Sequence, residues 1–149
     1  MREIKFRVWH TKSKQWAPYL NGLAIRVTDG KLVTAVSDKL LSPVSDEFIY
    51  QQYTGLKDKN KKEIYEGDIV KAFLEEWDRG EDLFFAEKTI YGVVKINPSR
   101  TGMIIRKVDC EEEDLKPHFL EGKFKKIKTK YDEVIGNIYE NPELLKEKL

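Results

Sequence analysis

The sequence predicts an α+β fold that is mostly antiparallel β: N-terminal hairpins, then a small barrel-like or curled sheet, then a short C-terminal helix. Three observations carry this. Apolar and polar residues alternate over strand-length runs along most of the chain, turn residues punctuate those runs, and helix signals gather at the C-terminal end.

The elements follow in order. Ile4, Phe6 and Val8 alternate with Lys5, Arg7 and Trp9, which predicts a half-buried strand with Trp9 facing outward. "TKSK" (11–14) is a turn toward a second short strand near Trp16. In "LAIRVTDGKLVTAV" (23–36), Asp29-Gly30 suits a hairpin turn between β-branched runs. Ser42-Pro43 reads as loop and "EFIYQQY" (47–53) as strand. A strand begins at Ile69. In "TIYGVVKI", Ile90, Val94 and Ile96 share a face with Gly92, whose place in mid-strand predicts a bend or a close backbone approach. "NPSRTG" (97–102) is a hairpin loop, "MIIRKV" the next strand and "YDEVIGNIY" (131–139) the last. "NPELLKEKL" closes the chain: Asn141 is the expected N-cap, Pro142 the first helical residue, and Leu144, Leu145 and Leu149 the apolar side.

A chain of 149 residues suffices for one domain, 1–149, with a division into 1–54 and 55–149 as the alternative. Lys and Arg total 27 against 26 Asp and Glu, so no global positive field marks the chain as a nucleic-acid binder. One cysteine, Cys110, excludes an intramolecular disulfide, and no apolar run is long enough to span a bilayer; a cytoplasmic protein is expected.

Several chemistries are excluded by spacing. The glycines form neither a dinucleotide fingerprint nor a P-loop. One cysteine and two histidines, His10 and His118, cannot build a structural zinc site. As a calcium loop starting at Asp58, the chain puts Lys62, Glu63 and Ile69 where an oxygen ligand, a glycine and a bidentate acid belong. Cys110 lies among acids, which disfavour a thiolate. No cofactor is expected. The acidic runs 75–82 and 109–114 read as solvated faces.

Two lysine clusters remain. Lys123, Lys125, Lys126, Lys128 and Lys130 alternate with Phe124, Ile127 and Tyr131, and in a strand they would line one face able to follow a phosphate backbone. The competing reading is an edge strand whose lysines block aggregation. Lys57, Lys59, Lys61 and Lys62 form the tip of a polar connector and a candidate interaction loop.

"MREIKFRVWH", "QYTGLKDKNKKEIYEGDIV" (52–70) and "VIGNIYENPELL" together resemble the YopX-like family of phage and prophage proteins, from end to end of the chain. The sequence departs from the family pattern at His10, where an acid is usual, and at Asn60-Lys61, where Asn-Gly is usual. The second departure argues against a tight two-residue turn. The resemblance implies a phage or prophage origin, life inside a bacterial host and a mostly β fold; it supplies no catalytic residues. The expected function is a non-catalytic protein-binding or regulatory module with a phage or host protein as partner. Trp9 and the Leu144, Leu145 and Leu149 side are candidates for self-association, the alternative being that both pack into their own domain. The alternatives are a nucleic-acid-binding module using 123–130 and an enzyme with a site near His118.

Overall fold

The computed structural model describes residues 3–17, 23–25, 32–34, 42–43, 48–74, 88–97, 100–110 and 120–146. The chain forms two compact units, Met1–Tyr53 and Thr54–Leu149. Among the described residues, strands pair antiparallel.

In the first unit, strand β1 (Phe6–His10) pairs with β2 (Gln15–Trp16) on one side and with β6 (Phe48–Lys57) on the other. The turn between β1 and β2 contains Lys14 at φ 54°. Trp9 does not face outward as expected. It is 4% exposed, lies opposite Trp16 in the register, and meets that indole edge-to-face at 4.9 Å. An indole buries more apolar area than the neighbouring aliphatics, so it takes a core position despite the alternation. Ile4 of the predicted inner face is exposed instead. Arg7 sits above Trp16 at 4.2 Å and donates from Nε and Nη2 to Oε1 of the buried Gln51.

A separate three-stranded sheet has the order β3 (Leu23–Ile25), β4 (Leu32–Thr34), β5 (Ser42–Pro43). The β3–β4 register pairs Ile25 with Leu32, so the two runs form the predicted hairpin; Asp29-Gly30 itself lies outside the described residues. Ser42-Pro43, expected as loop, pairs with β4. Pro43 is tolerated there because the strand lies at a sheet edge.

In the second unit, β6 continues to Lys57 and turns into β7 (Glu63–Tyr65). A five-stranded sheet follows in the order β11 (Phe124–Lys125), β10 (Thr101–Cys110), β9 (Lys88–Ile96), β8 (Asp68–Leu74), β12 (Glu133–Asn137). Its inner face can be read from the register: Val94 against Met103, Gly92 against Ile105 and Val70, Ile90 against Val108 and Ala72. These residues, with Ile64, Ile127 and Val134, form the core. The register shifts between Ile105 and Lys107 and between Val134 and Gly136, and such bulges bend strands. A flat sheet would hold β11 and β12 about 19 Å apart. An ion pair at 3.1 Å between Lys125 on β11 and Asp132 just before β12 is incompatible with that spacing. The sheet is curled into a half-barrel.

Gly92 permits the curl. A Cβ there would approach Cγ and Sδ of Met103 to 2.8 Å and the carbonyl of Ile104 to 3.0 Å. The close approach expected at this glycine is therefore present.

The C-terminal helix is a correction. Among the described residues there is no α-helix, and the C-terminal segment forms a 3₁₀ turn over Pro142–Leu145. Asn141 precedes it but makes no side-chain cap; its Oδ1 accepts the amide of Asn137 instead. Lys146 is already extended, so the turn ends after one cycle. Leu144 and Leu145 are half-buried, and Leu149 lies outside the described residues. The described residues are mostly antiparallel β, and among them no α-helix supports the α part of the expectation.

Candidate basic interface

The hairpin tip of 52–70 is built around one carboxylate. Asp58 is 2% exposed. Its Oδ1 accepts the amides of Asn60 and Lys62, and its Oδ2 accepts the amide of Val134 on β12. Bonding to an amide two residues on is the ordinary habit of an aspartate in a turn. The bond to Val134 is not local: it ties the tip to the last strand.

The tip itself is a three-residue loop. The amide of Lys61 donates to the carbonyl of Asp58 at 2.9 Å, and that of Asp58 donates to the carbonyl of Lys62 at 2.8 Å. Lys61 takes the left-handed position at φ 66°. The tight two-residue turn is absent, as Lys61 implied, yet the lysine still adopts the conformation that favours glycine. Gly55 and Gly67, at φ 84° and 87°, bound the stretch at either end.

Residues 123–130 do not form the expected strand. Only Phe124–Lys125 pair, with Met103 and Ile104 of β10. Beyond them Ile127 turns inward and is 5% exposed, an apolar plug inside the lysine run. A second aspartate fixes the rest. Asp132, 1% exposed, accepts the amide of Lys128 and the ammonium of Lys125 at one oxygen, Oδ2. Lys125 is thereby a counter-ion of the fold, with only 13% of its side chain exposed. It is unavailable for the phosphate-binding role expected of it.

The two lysine clusters meet. The amide of Lys59 donates to the carbonyl of Asp132 at 3.1 Å. Beside that bond, Lys59 pairs with Glu133 at 3.1 Å, and Asn60 Nδ2 donates to the same carboxylate. Lys57, Lys59, Lys61 and Lys62 from one segment, and Lys126, Lys128 and Lys130 from the other, are all exposed around this junction. Lys123 is exposed too, on the turn before β11. Tyr131 stands next to Asp132, 55% exposed, with the ammonium of Lys130 at 5.8 Å from its ring. The sequence showed both lysine clusters but not the bond that joins their segments. The aspartates that join them looked like ordinary members of charged runs.

Residues 5–146 match the YopX protein family. The chain belongs to that family. The crystal structure of protein EF1440 from Enterococcus faecalis is similar to this YopX-family chain, with a TM-score of 0.51 and 24% identity. The alignment covers 98% of this chain and 100% of that one. No curated protein matches.

Other polar groups of this YopX-family chain are engaged with protein partners. On the outer face of the half-barrel, Tyr91 lies opposite Lys107. The Lys107 ammonium is 4.9 Å from the Tyr91 ring and 3.5 Å from Asp109. Burial raises the Tyr91 pKa, and the hydrogen-bonded charge of Asp109 raises it further, so the phenol is held protonated. Asp68 is occupied by the amide of Tyr65 and by Asn137 Nδ2. His118, and the acidic runs apart from Asp109 and the backbone of Cys110, lie outside the described residues. The described His10 stacks on Phe48 at 4.5 Å and meets Ser13 Oγ at 2.6 Å. The described residues contain no cluster of three or more His, Cys, Asp or Glu able to hold a metal, and no helix long and apolar enough to cross a membrane.

Proposed function

We propose that this protein is a non-catalytic binding module that presents the face formed by 57–62 and 126–130 to a polyanionic partner. It would act as a phage or prophage accessory protein in the host cytosol. The observation that carries the reading is the bond from the Lys59 amide to the Asp132 carbonyl, because it merges two basic segments into one face. The buried acids nearby support it. Asp58 and Asp132 direct their oxygens to backbone amides and to Lys125, so they hold the loops and leave the other lysines pointing outward. With Asp58 and Asp132 turned inward and Glu133 paired with Lys59, the remaining exposed lysines concentrate positive potential locally, although the whole chain is near neutral.

Retention on heparin, a generic polyanion, tests the reading. The wild-type protein should be held and then released by salt. A variant carrying Lys57→Gln, Lys61→Gly, Lys62→Gln, Lys126→Gln and Lys130→Gln should elute at clearly lower salt with its fold intact by circular dichroism. Equal elution of the two proteins would remove the face from the account. The Trp9 route to self-association loses its basis, since Trp9 packs within its own unit.

A further inference from the structure

We infer that the polyanion is an unpaired nucleic-acid strand, held by its phosphates on the lysines and by a base stacked on Tyr131. This inference rests on the polyanion reading above and adds the chemical class of the ligand. Four features of the face lead to it.

The first is the position of Tyr131. Isolated exposed aromatics are common on protein surfaces. This one follows Lys130 and precedes Asp132, whose carbonyl is the joint between the two basic segments. The other aromatic of the lysine run, Phe124, is half-buried beneath the Arg100 guanidinium at 4.0 Å. Tyr131 is therefore the ring of that run left open to a flat ligand. Aromatic rings among lysines that track a backbone are the working parts of single-strand binding surfaces.

The second is geometric. A duplex keeps its base faces inside the stack, where a surface tyrosine cannot reach them. An unpaired strand offers phosphates and open base faces together.

The third is the local backbone. Lys61 holds the left-handed conformation, which is unfavourable for a residue that carries a side chain. Local strain of this kind gathers at binding and catalytic positions. A lysine kept where glycine would be unstrained fits a need for charge at that point on the face.

The fourth is the anchoring. The joint is fixed by the bonds of Asp58 to Val134 and of Asp132 to Lys128 and Lys125. The lysines are thus mounted on a framework whose amides are already satisfied, which lowers the ordering cost when a strand binds.

The test is fluorescence anisotropy with labelled oligothymidylate and oligouridylate of about 12 nucleotides, and with a DNA duplex of the same length. Wild-type protein should bind a single strand, of either sugar, more tightly than the duplex. Tyr131→Ala should weaken single-strand binding by about five- to a hundredfold. Tyr131→Phe should restore it, and Tyr131→Leu, which keeps bulk without a π face, should not. Duplex binding as tight as single-strand binding, no effect of Tyr131→Ala, or no binding of any oligonucleotide would overturn the inference. If heparin retention still depends on the lysines in any of those cases, the polyanion reading stands and the single-strand assignment alone is lost. If the lysine variant elutes with wild type from heparin, both are lost.

Discussion

The Lys59 amide and the Asp132 carbonyl, 3.1 Å apart, join two loops that are more than seventy residues apart in the chain. Around that bond, two buried aspartates convert charged, loop-like sequence into a framework: Asp58 binds three amides, and Asp132 one amide and one ammonium. The properties of the basic face follow from these contacts.

Asp58 should be a stability residue. Asp58→Ala strands the amides of Asn60, Lys62 and Val134, of which the last is buried. The expected loss is about 2–4 kcal/mol, since each abandoned buried donor costs of the order of 1–3 kcal/mol and the loop amides can recover water. Urea unfolding reads it as a lower midpoint with an unchanged slope. A loss below about 0.5 kcal/mol, typical of a plain surface substitution, would contradict the assignment.

Lys125 and Lys126 are neighbours with opposite roles. Lys125→Met removes the ammonium from the buried Asp132 and should cost about 2–4 kcal/mol, because it leaves a charge without its partner. Lys126→Gln should change stability by less than about 0.5 kcal/mol and should instead lower retention on heparin. Thermal unfolding and heparin elution on both variants separate the two roles.

Lys61→Gly should stabilise the protein by up to about 1 kcal/mol, because glycine relieves the strained φ at some cost in unfolded-state entropy. Gly67→Ala, at φ 87° in the next turn, should destabilise by about 1–2 kcal/mol by the same argument reversed. Paired denaturation curves check both signs together.

Tyr91 should make the fold sensitive to alkali. Its folded pKa is raised above the ordinary 10.0, by burial first and by Asp109 second. The native state therefore binds the phenolic proton more tightly than the unfolded state does. The resulting stabilisation is fully present below pH 10 and is lost as pH rises through the folded pKa. Tyr91→Phe should remove that part of the alkaline decline, measured as unfolding midpoints from pH 8 upward, while spectroscopic titration of the phenol gives its pKa directly.

Much of the β architecture was legible because its signals are local. Alternation in "TIYGVVKI" marked β9 and its inner face, and Gly92 announced the close approach to Met103. Strand signals on either side of Asp29-Gly30 gave the β3–β4 pairing. Illegibility began where a residue's role depends on a distant partner. Asp58 meets Val134 at a separation of 76 residues, so in the sequence it is just one charge in "KDKNKK". Ile127 supplied a buried side chain within a run that composition marks as solvated. The C-terminal segment failed differently: Asn141 and Pro142 are sound start signals, but a helix this short depends on packing, and Asn141 spends its side chain on Asn137.

The central claim is that two loops make one polyanion-binding face, and the salt dependence of single-strand binding tests it most directly. If about four lysines each take a phosphate, the logarithm of the association constant should fall with the logarithm of salt at a slope near −3. Neutralising 57–62 alone (Lys57→Gln, Lys61→Gly, Lys62→Gln) and 126–130 alone (Lys126→Gln, Lys130→Gln) should each flatten the slope, and the two together should flatten it further. A slope unchanged by either set, or carried wholly by one loop, would contradict a shared face.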